Sequence, residues 1–169
     1  MELCGNTGTV YASWAVSGGV VARSLSNGSA QAAVVKNCWN TGSISSENNT
    51  AGGIVGESSA QVSSYPYARV QNCWSIGSVS AKEEVGGVTG HNWRAAVSNC
   101  YSVMAPVGVL ENAAYTDEAE QKTLEQFAML SINYEGICFG EGVMVFWEPK
   151  LLSKKQRTHS IFLITLFII

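Results

Sequence analysis

Three cysteines stand between an asparagine and an aromatic residue, as Asn37-Cys38-Trp39, Asn72-Cys73-Trp74 and Asn99-Cys100-Tyr101. A fourth, Cys4, falls one step earlier on the same spacing. Thiols in such numbers suit disulfides or a metal site. Metal sites place cysteines in C-x₂₋₄-C pairs, and the sequence has no such pair. The reading preferred is that each points inward as a small apolar residue. Stacked neighbours would lie within disulfide Cα distance, so oxidation stays open. Trp39, Trp74 and Tyr101 suit either a stripe for sugar stacking or a packing ladder, and packing is the simpler account.

Acid–base chemistry is thinly supplied. Asp117 is the only aspartate, and up to Tyr115 the acids are Glu2, Glu47, Glu57, Glu83, Glu84 and Glu111. The histidines are His91 and His159. Glycoside hydrolases need two carboxylates flanking the bond, and calcium-assisted lyases need a carboxylate cluster. Glu83 and Glu84 are adjacent, so in a strand their side chains point apart. A carbohydrate-active β-helix enzyme, lyase or hydrolase, is therefore the alternative and not the preferred reading. The chain is read as non-catalytic, with no cofactor and no metal. Candidate ligand contacts lie in the variable loops: Tyr65, Tyr67 and Arg69, then His91, Asn92, Trp93 and Arg94. Their plain alternative is loop decoration.

A repeat must position these residues. Gly18-Gly19, Gly52-Gly53 and Gly86-Gly87 are each 34 residues from the last, and the cysteines step by 34, 35 and 27. Two independent markers thus share nearly one period. Val20-Val21-Ala22, Ile54-Val55-Gly56 and Val88-Thr89-Gly90 follow the glycine pairs. Thr41-Gly42-Ser43-Ile44-Ser45 matches Ile76-Gly77-Ser78-Val79-Ser80. Each unit holds three short apolar stretches separated by Gly, Asn and Ser, none of helix length. One unit cannot bury its own apolar side, but stacked units can. The expectation is an all-β fold, a short right-handed parallel β-solenoid with three short strands per coil over 1–115. The shortest unit, Cys73 to Asn99, sets a compact coil, and loops such as Glu57 to Ala68 bulge from the longer ones.

The ladder residues have expected physical roles. Gly52, Gly53, Gly86 and Gly87 supply corners that need φ > 0 or no Cβ. Asn37, Asn72 and Asn99 are the next best left-handed residues, and their stacked amides can form a ladder. Cys4, Cys38, Cys73 and Cys100 line the core beside them. Net charge is -3 with 14% charged residues, which leaves no electrostatic footprint for nucleic acid.

The pattern N-C-[WY]-x-x-G-S-[IV] followed by G-G-[IV]-[VT]-G resembles the GLUG-motif repeats of bacterial surface and secreted proteins. These include adhesin-like proteins and the N-terminal regions of IgA-cleaving metallopeptidases. The best copies are Asn37 to Gly56 and Asn72 to Gly90, and the resemblance covers roughly Met1 to Gly108. It implies a β-helical stalk or a surface that binds glycan or host protein outside the cell. It does not imply catalysis, and the zinc motif H-E-x-x-H is missing from the sequence. No secretory signal is visible in MELCGNTG. Cys4 sits in mid-unit, so the chain is expected to be a fragment of a larger surface protein.

The pattern changes after Val109. Thr116 to Leu130 predicts a capping helix, with Thr116 or Asp117 as its cap and Glu118–Lys122 as an i,i+4 pair. Asn133 to Glu148 reads as one or two strands, so 116–150 forms a capping helix plus strands. Residues 151–169 are a discordant tail, basic and then apolar (IFLITLFII), about half the length of a membrane-spanning helix. The repeat region itself predicts no membrane insertion.

Overall fold

A computed structural model describes residues 1–27, 32–61, 68–111 and 115–127. Met1–Gln121 forms one compact unit, and a second begins at Lys122.

The first unit is a β-solenoid in which every strand pairing is parallel. Its first coil carries β1 (Gly5–Asn6), β2 (Val10–Ala12), β3 (Ser17–Gly18) and β4 (Val21–Ser26). The second carries β5 (Val34–Lys36), β6 (Trp39–Asn40), β7 (Ile44–Ser46), β8 (Ala51–Gly52) and β9 (Val55–Ala60). The third repeats this with β10 (Arg69–Gln71), β11 (Trp74–Ser75), β12 (Val79–Ala81), β13 (Val85–Gly86) and β14 (Thr89–Trp93). A shorter passage follows with β15 (Ala96–Ser102), β16 (Val107–Glu111) and β17 (Tyr115–Gln121).

Like stretches stack into four sheets. Sheet A has seven strands, β1-β6-β11-β15-β10-β5, with β17 added on β15. Sheet B is β12-β7-β2, sheet C is β13-β8-β3, and sheet D is β16-β14-β9-β4. The expected three strands per coil become four faces. The G-S-[IV]-S stretch ends in sheet B, while the glycine pair opens a separate corner sheet C before the chain turns into sheet D.

The register follows the repeat and then departs from it. Val21 pairs with Val55 and Val55 with Thr89, at steps of 34. Thr89 then pairs with Val107, a step of 18. The fourth coil passes from sheet A to sheet D and adds no strand to sheets B or C. The crossover covers the glycine corner, with Gly87 N–H donating to Ala105 O at 2.7 Å and Val88 N–H to Pro106 O at 2.8 Å.

The core lies between the sheets. Val35, Val70 and Val97 form one inward row; Cys38, Cys73 and Cys100 form another, and Ile54, Val55 and Val88 close it from the far side. Full burial of a valine is worth roughly 1.5–3 kcal/mol, so the rows supply the driving force that one coil lacks.

Two expectations change at the C-terminal side. The helix predicted over Thr116 to Leu130 is replaced over Tyr115–Gln121 by β17, in register with β15 from Ala96↔Tyr115 to Ser102↔Gln121. The solenoid therefore runs to Gln121, past the expected boundary at 115. Edge pairing overrides the local helix signals, because β15 offers a whole free backbone edge. In the second unit α1 spans only Leu124–Phe127. Its cap is Thr123, whose Oγ1 accepts from Gln126 N–H at 3.2 Å while Gln126 Oε1 accepts from Thr123 N–H at 2.8 Å. This is a capping box. The expected loop from Glu57 also starts later, since β9 continues to Ala60. The strands expected over Asn133–Glu148 and the tail 151–169 lie outside the described residues.

Candidate functional site

Sheet A carries the repeat's most distinctive residues. Asn37, Asn72 and Asn99 all sit at positive φ, 54°, 54° and 49°. That kink turns the chain between the V-x row and the cysteine row. It also aligns the amides along the stack. Asn99 Nδ2 donates to Asn72 Oδ1 at 2.7 Å, and Asn72 Nδ2 donates to Asn37 Oδ1 at 2.5 Å. The chain continues to Glu2 Oε1 at 3.3 Å and is capped at the other end by the Tyr101 hydroxyl, 2.7 Å from Asn99 Oδ1.

The same kink directs each thiol onto the carbonyl two residues before it. Cys38 meets Lys36 O at 3.1 Å, Cys73 meets Gln71 O at 3.1 Å, and Cys100 meets Ser98 O at 3.2 Å. All four described cysteines are free thiols, and Cys4 alone among them is not buried. Hydrogen bonding with the Cys73 thiol, then burial, pushes Cys38 well above the ordinary thiol range. Burial first, then the Cys100 thiol, does the same for Cys73. These thiols are protonated and inert as nucleophiles.

The aromatic stripe is a packing ladder. The Trp39 and Trp74 rings stack with centroids 5.8 Å apart and planes 18° apart, and Tyr101 is in register beyond Trp74. The faces turned to each other are thereby occupied, which takes them out of use for a sugar ring. Below, the Trp39 ring lies on Gly5, where a Cβ would overlap it.

The glycine pairs work by close approach alone. None of Gly52, Gly53, Gly86 or Gly87 has a left-handed φ, so that part of the expectation is corrected. A Cβ at Gly52 would overlap Val55 O, and one at Gly53 would overlap Gly87 O and the Ser75 hydroxyl. At Gly86 it would overlap Thr89 O, and at Gly87 the Ser102 side chain. Asparagine supplies the left-handed corners, and glycine supplies the missing bulk.

A second polar ladder escaped the sequence reading. Asn6, Asn40, Ser75 and Ser102 occupy equivalent positions just after the aromatic row. Asn6 Nδ2 donates to Asn40 Oδ1 at 2.8 Å, and Asn40 Nδ2 to Ser75 Oγ at 3.3 Å. Asn40 also closes its own turn, with Gly42 N–H on Oδ1 at 3.1 Å and Nδ2 on Gly42 O at 3.0 Å. The signal was present in C-W-[NS]-x-G, an Asx-turn pattern.

The candidate contact residues divide between two sheets. Arg69 lies on sheet A, in register with Val34 and Ala96. His91 and Trp93 lie on sheet D, in register with Glu57 and Ser59. Asn92 between them is buried, its Nδ2 on Ala95 O at 3.2 Å. Arg94 follows at φ 53°, with its guanidinium 4.8 Å from the Trp93 ring centroid. The residues expected in loops thus lie largely in strands: His91 and Trp93 are in β14 of sheet D and Arg69 is in β10 of sheet A, while Arg94 stands at the bend between β14 and β15. Tyr65 and Tyr67 lie outside the described residues.

The charges around His91 are paired. His91 Nδ1 lies 2.6 Å from Glu84 Oε2, which also accepts from Thr50 Oγ1 at 3.3 Å. Glu57 Oε2 lies 3.0 Å from Arg23 Nε. Glu83 is exposed while Glu84 turns inward, so the adjacent acids do diverge. Among the described residues, no group of three or more His, Cys, Asp or Glu side chains is placed to share a metal ion. No helix among them is long and apolar enough to cross a membrane. No protein-family model, curated protein or solved structure matches the chain.

Proposed function

We propose that this chain is a non-catalytic repeat module of an extracellular or cell-surface protein, serving as a stalk and as an adhesive surface for glycan or host protein. One observation carries the reading. The residues that recur through the repeat are used up in holding coil to coil. The asparagines bond one another, the thiols bond their own backbone, the tryptophans stack, and the glycines admit neighbouring backbone. Such chemistry supports a self-templated rod that lengthens by copying.

Residues outside the ladders are then left for recognition. The His91, Trp93 and Arg94 corner combines an aromatic ring with a guanidinium over it, a pairing suited to polar sugar or peptide surfaces. Glu57, the register partner of His91, and Glu84, which pairs with the His91 ring, already hold partners, which gives the lyase or hydrolase alternative no specific support.

A glycan array and a host-protein pull-down with the chain and its Trp93→Ala variant test this. Binding that falls with the variant supports adhesion through sheet D. No binding by either leaves the stalk role alone. Polysaccharide cleavage that is lost in Glu57→Gln or Glu84→Gln would overturn the non-catalytic reading.

A further inference from the structure

The bend between β14 and β15 carries backbone strain. Only Arg94 and Ala95 separate the two strands, and Arg94 makes the turn at φ 53°. Left-handed backbone suits glycine and, less well, asparagine, while an arginine gains nothing there. Asn37, Asn72 and Asn99 follow that preference, and Arg94 does not. Asn92 closes the turn around it, its buried amide donating to Ala95 O at 3.2 Å. Strain held in place by its surroundings clusters at ligand-binding positions.

The charge of Arg94 is also uncompensated. Glu57 is held by Arg23, and Glu84 by His91 and Thr50. Among the described residues Arg94 has no carboxylate partner. Its guanidinium lies 4.8 Å from the Trp93 ring centroid, and its Nη1 makes one long bond, 3.4 Å, to Gln61 O. Stacking on the ring pre-orients a planar fork, and most of the donors of that fork stay unspent. Such a fork takes a carboxylate through two parallel bonds.

The backbone beside it is closed to a peptide strand. β14 pairs with β9 on one side and with β16 on the other. No strand can add there, so recognition falls to side chains. Trp93 is half-buried with Arg94 on one face, and its exposed remainder is an apolar surface beside a cation.

We propose that the Trp93–Arg94 bend binds a carboxylated glycan, with the sugar ring against Trp93 and its carboxylate on the Arg94 guanidinium. The proposal rests on the adhesive reading above and narrows it to sugar acids. A uronic or sialic acid carries both features on one ring, an apolar C–H side and a carboxylate. Because Glu57 and Glu84 are already engaged, such an anion meets less repulsion at this bend.

An array of uronic- and sialic-acid oligosaccharides, each beside its carboxyl methyl ester, tests the proposal on the 169-residue chain. The free acids are expected to bind and their neutral esters to bind far more weakly. Arg94→Asn should weaken acid binding about tenfold or more, because one partner of a charged pair is gone. Its urea midpoint should hold or rise, because asparagine tolerates the left-handed bend. Arg94→Lys keeps the charge without the fork and should fall between the two. An arginine that serves only the fold gives the reverse, a lower midpoint with acid binding unchanged, and overturns the proposal. Esters that bind as tightly as acids, with both lost in Trp93→Ala, overturn it while leaving adhesion through sheet D standing. Binding to acidic peptides alone also overturns it. No binding to glycan or protein removes the proposal and the adhesive reading together.

Discussion

The first coil and the two full coils after it carry nearly the same residues under different constraints. Gly8 has only the Asn6 side chain near it, 3.7 Å from where a Cβ would stand. At Gly42 and Gly77, its counterparts, a Cβ would overlap the carbonyl oxygen of the glycine one coil before. Cys4 is half-exposed, whereas Cys38 and Cys73 are buried. Leu3 occupies the left-handed corner at φ 55°, where the later coils place asparagine. The requirement on a residue therefore comes from the coil stacked against it more than from its own neighbours in sequence. Among the described residues, the first coil meets a stacked neighbour on one side only.

The largest break in this comparison is expected from Gly42→Ala. Its methyl group meets fixed backbone, and the cost is about 3 kcal/mol or more, as for severe overpacking. Gly8→Ala should change stability by less than about 0.5 kcal/mol, since the contact is ordinary. Urea denaturation of both variants measures the difference, and equal effects would remove the stacking argument.

Asn72→Ala comes next. It places alanine in a left-handed conformation at about 1–2 kcal/mol and removes two amide bonds worth about 1 kcal/mol each. A loss of roughly 3 kcal/mol is expected. Leu3→Asn runs the other way and should gain about 1 kcal/mol, because asparagine tolerates that corner. The sign alone distinguishes the coils.

Thiol chemistry sharpens the same contrast. Mass-spectrometric mapping after alkylation at neutral pH should find Cys4 modified in the native chain. Cys38 and Cys73, pushed up by burial and by neighbouring thiols, should react only on unfolding. The smallest effect is expected from Arg23→Ala. The Arg23–Glu57 pair is largely solvent-screened, with Arg23 56% exposed, so its loss should cost about 0.5 kcal/mol.

Much of the solenoid was legible because repetition states each constraint several times. Asn37, Asn72 and Asn99 announce a shared corner, and their ladder follows from stacking. The pairs Gly52-Gly53 and Gly86-Gly87 were legible as positions but not in cause, since a pair of glycines looks the same whether it serves φ or space. The Asn40 and Ser75 ladder was masked by the change of residue type between coils. β17 was misread because Thr116, Asp117, Glu118 and Lys122 supply helix signals locally. The edge of β15 that captures this stretch is visible only in the fold. The step of 27 from Cys73 to Cys100 belongs to the third coil, in which only two residues separate β14 from β15, and the fourth coil's sheet D step of 18 left no sequence trace that stood out. The candidate contacts were chosen for falling outside the repeat. That criterion cannot tell that His91 and Trp93 fall on sheet D while Arg69 falls on sheet A.

The central claim is the stacking of coils in register, and a cysteine pair on sheet B tests it most directly. Ser45 and Ser80 are register partners in β7 and β12, and neither is buried. Parallel neighbours lie about 4.8 Å apart, inside the Cα range of a disulfide. Mild oxidation of the Ser45→Cys, Ser80→Cys double variant should yield that cross-link, mapped by mass spectrometry, with the fold intact. A Tyr11→Cys, Ser80→Cys pair, two strands apart in the same row, should not cross-link. Failure of the first pair in a folded chain, or cross-linking of the second with equal ease, would contradict the register on which the whole account rests.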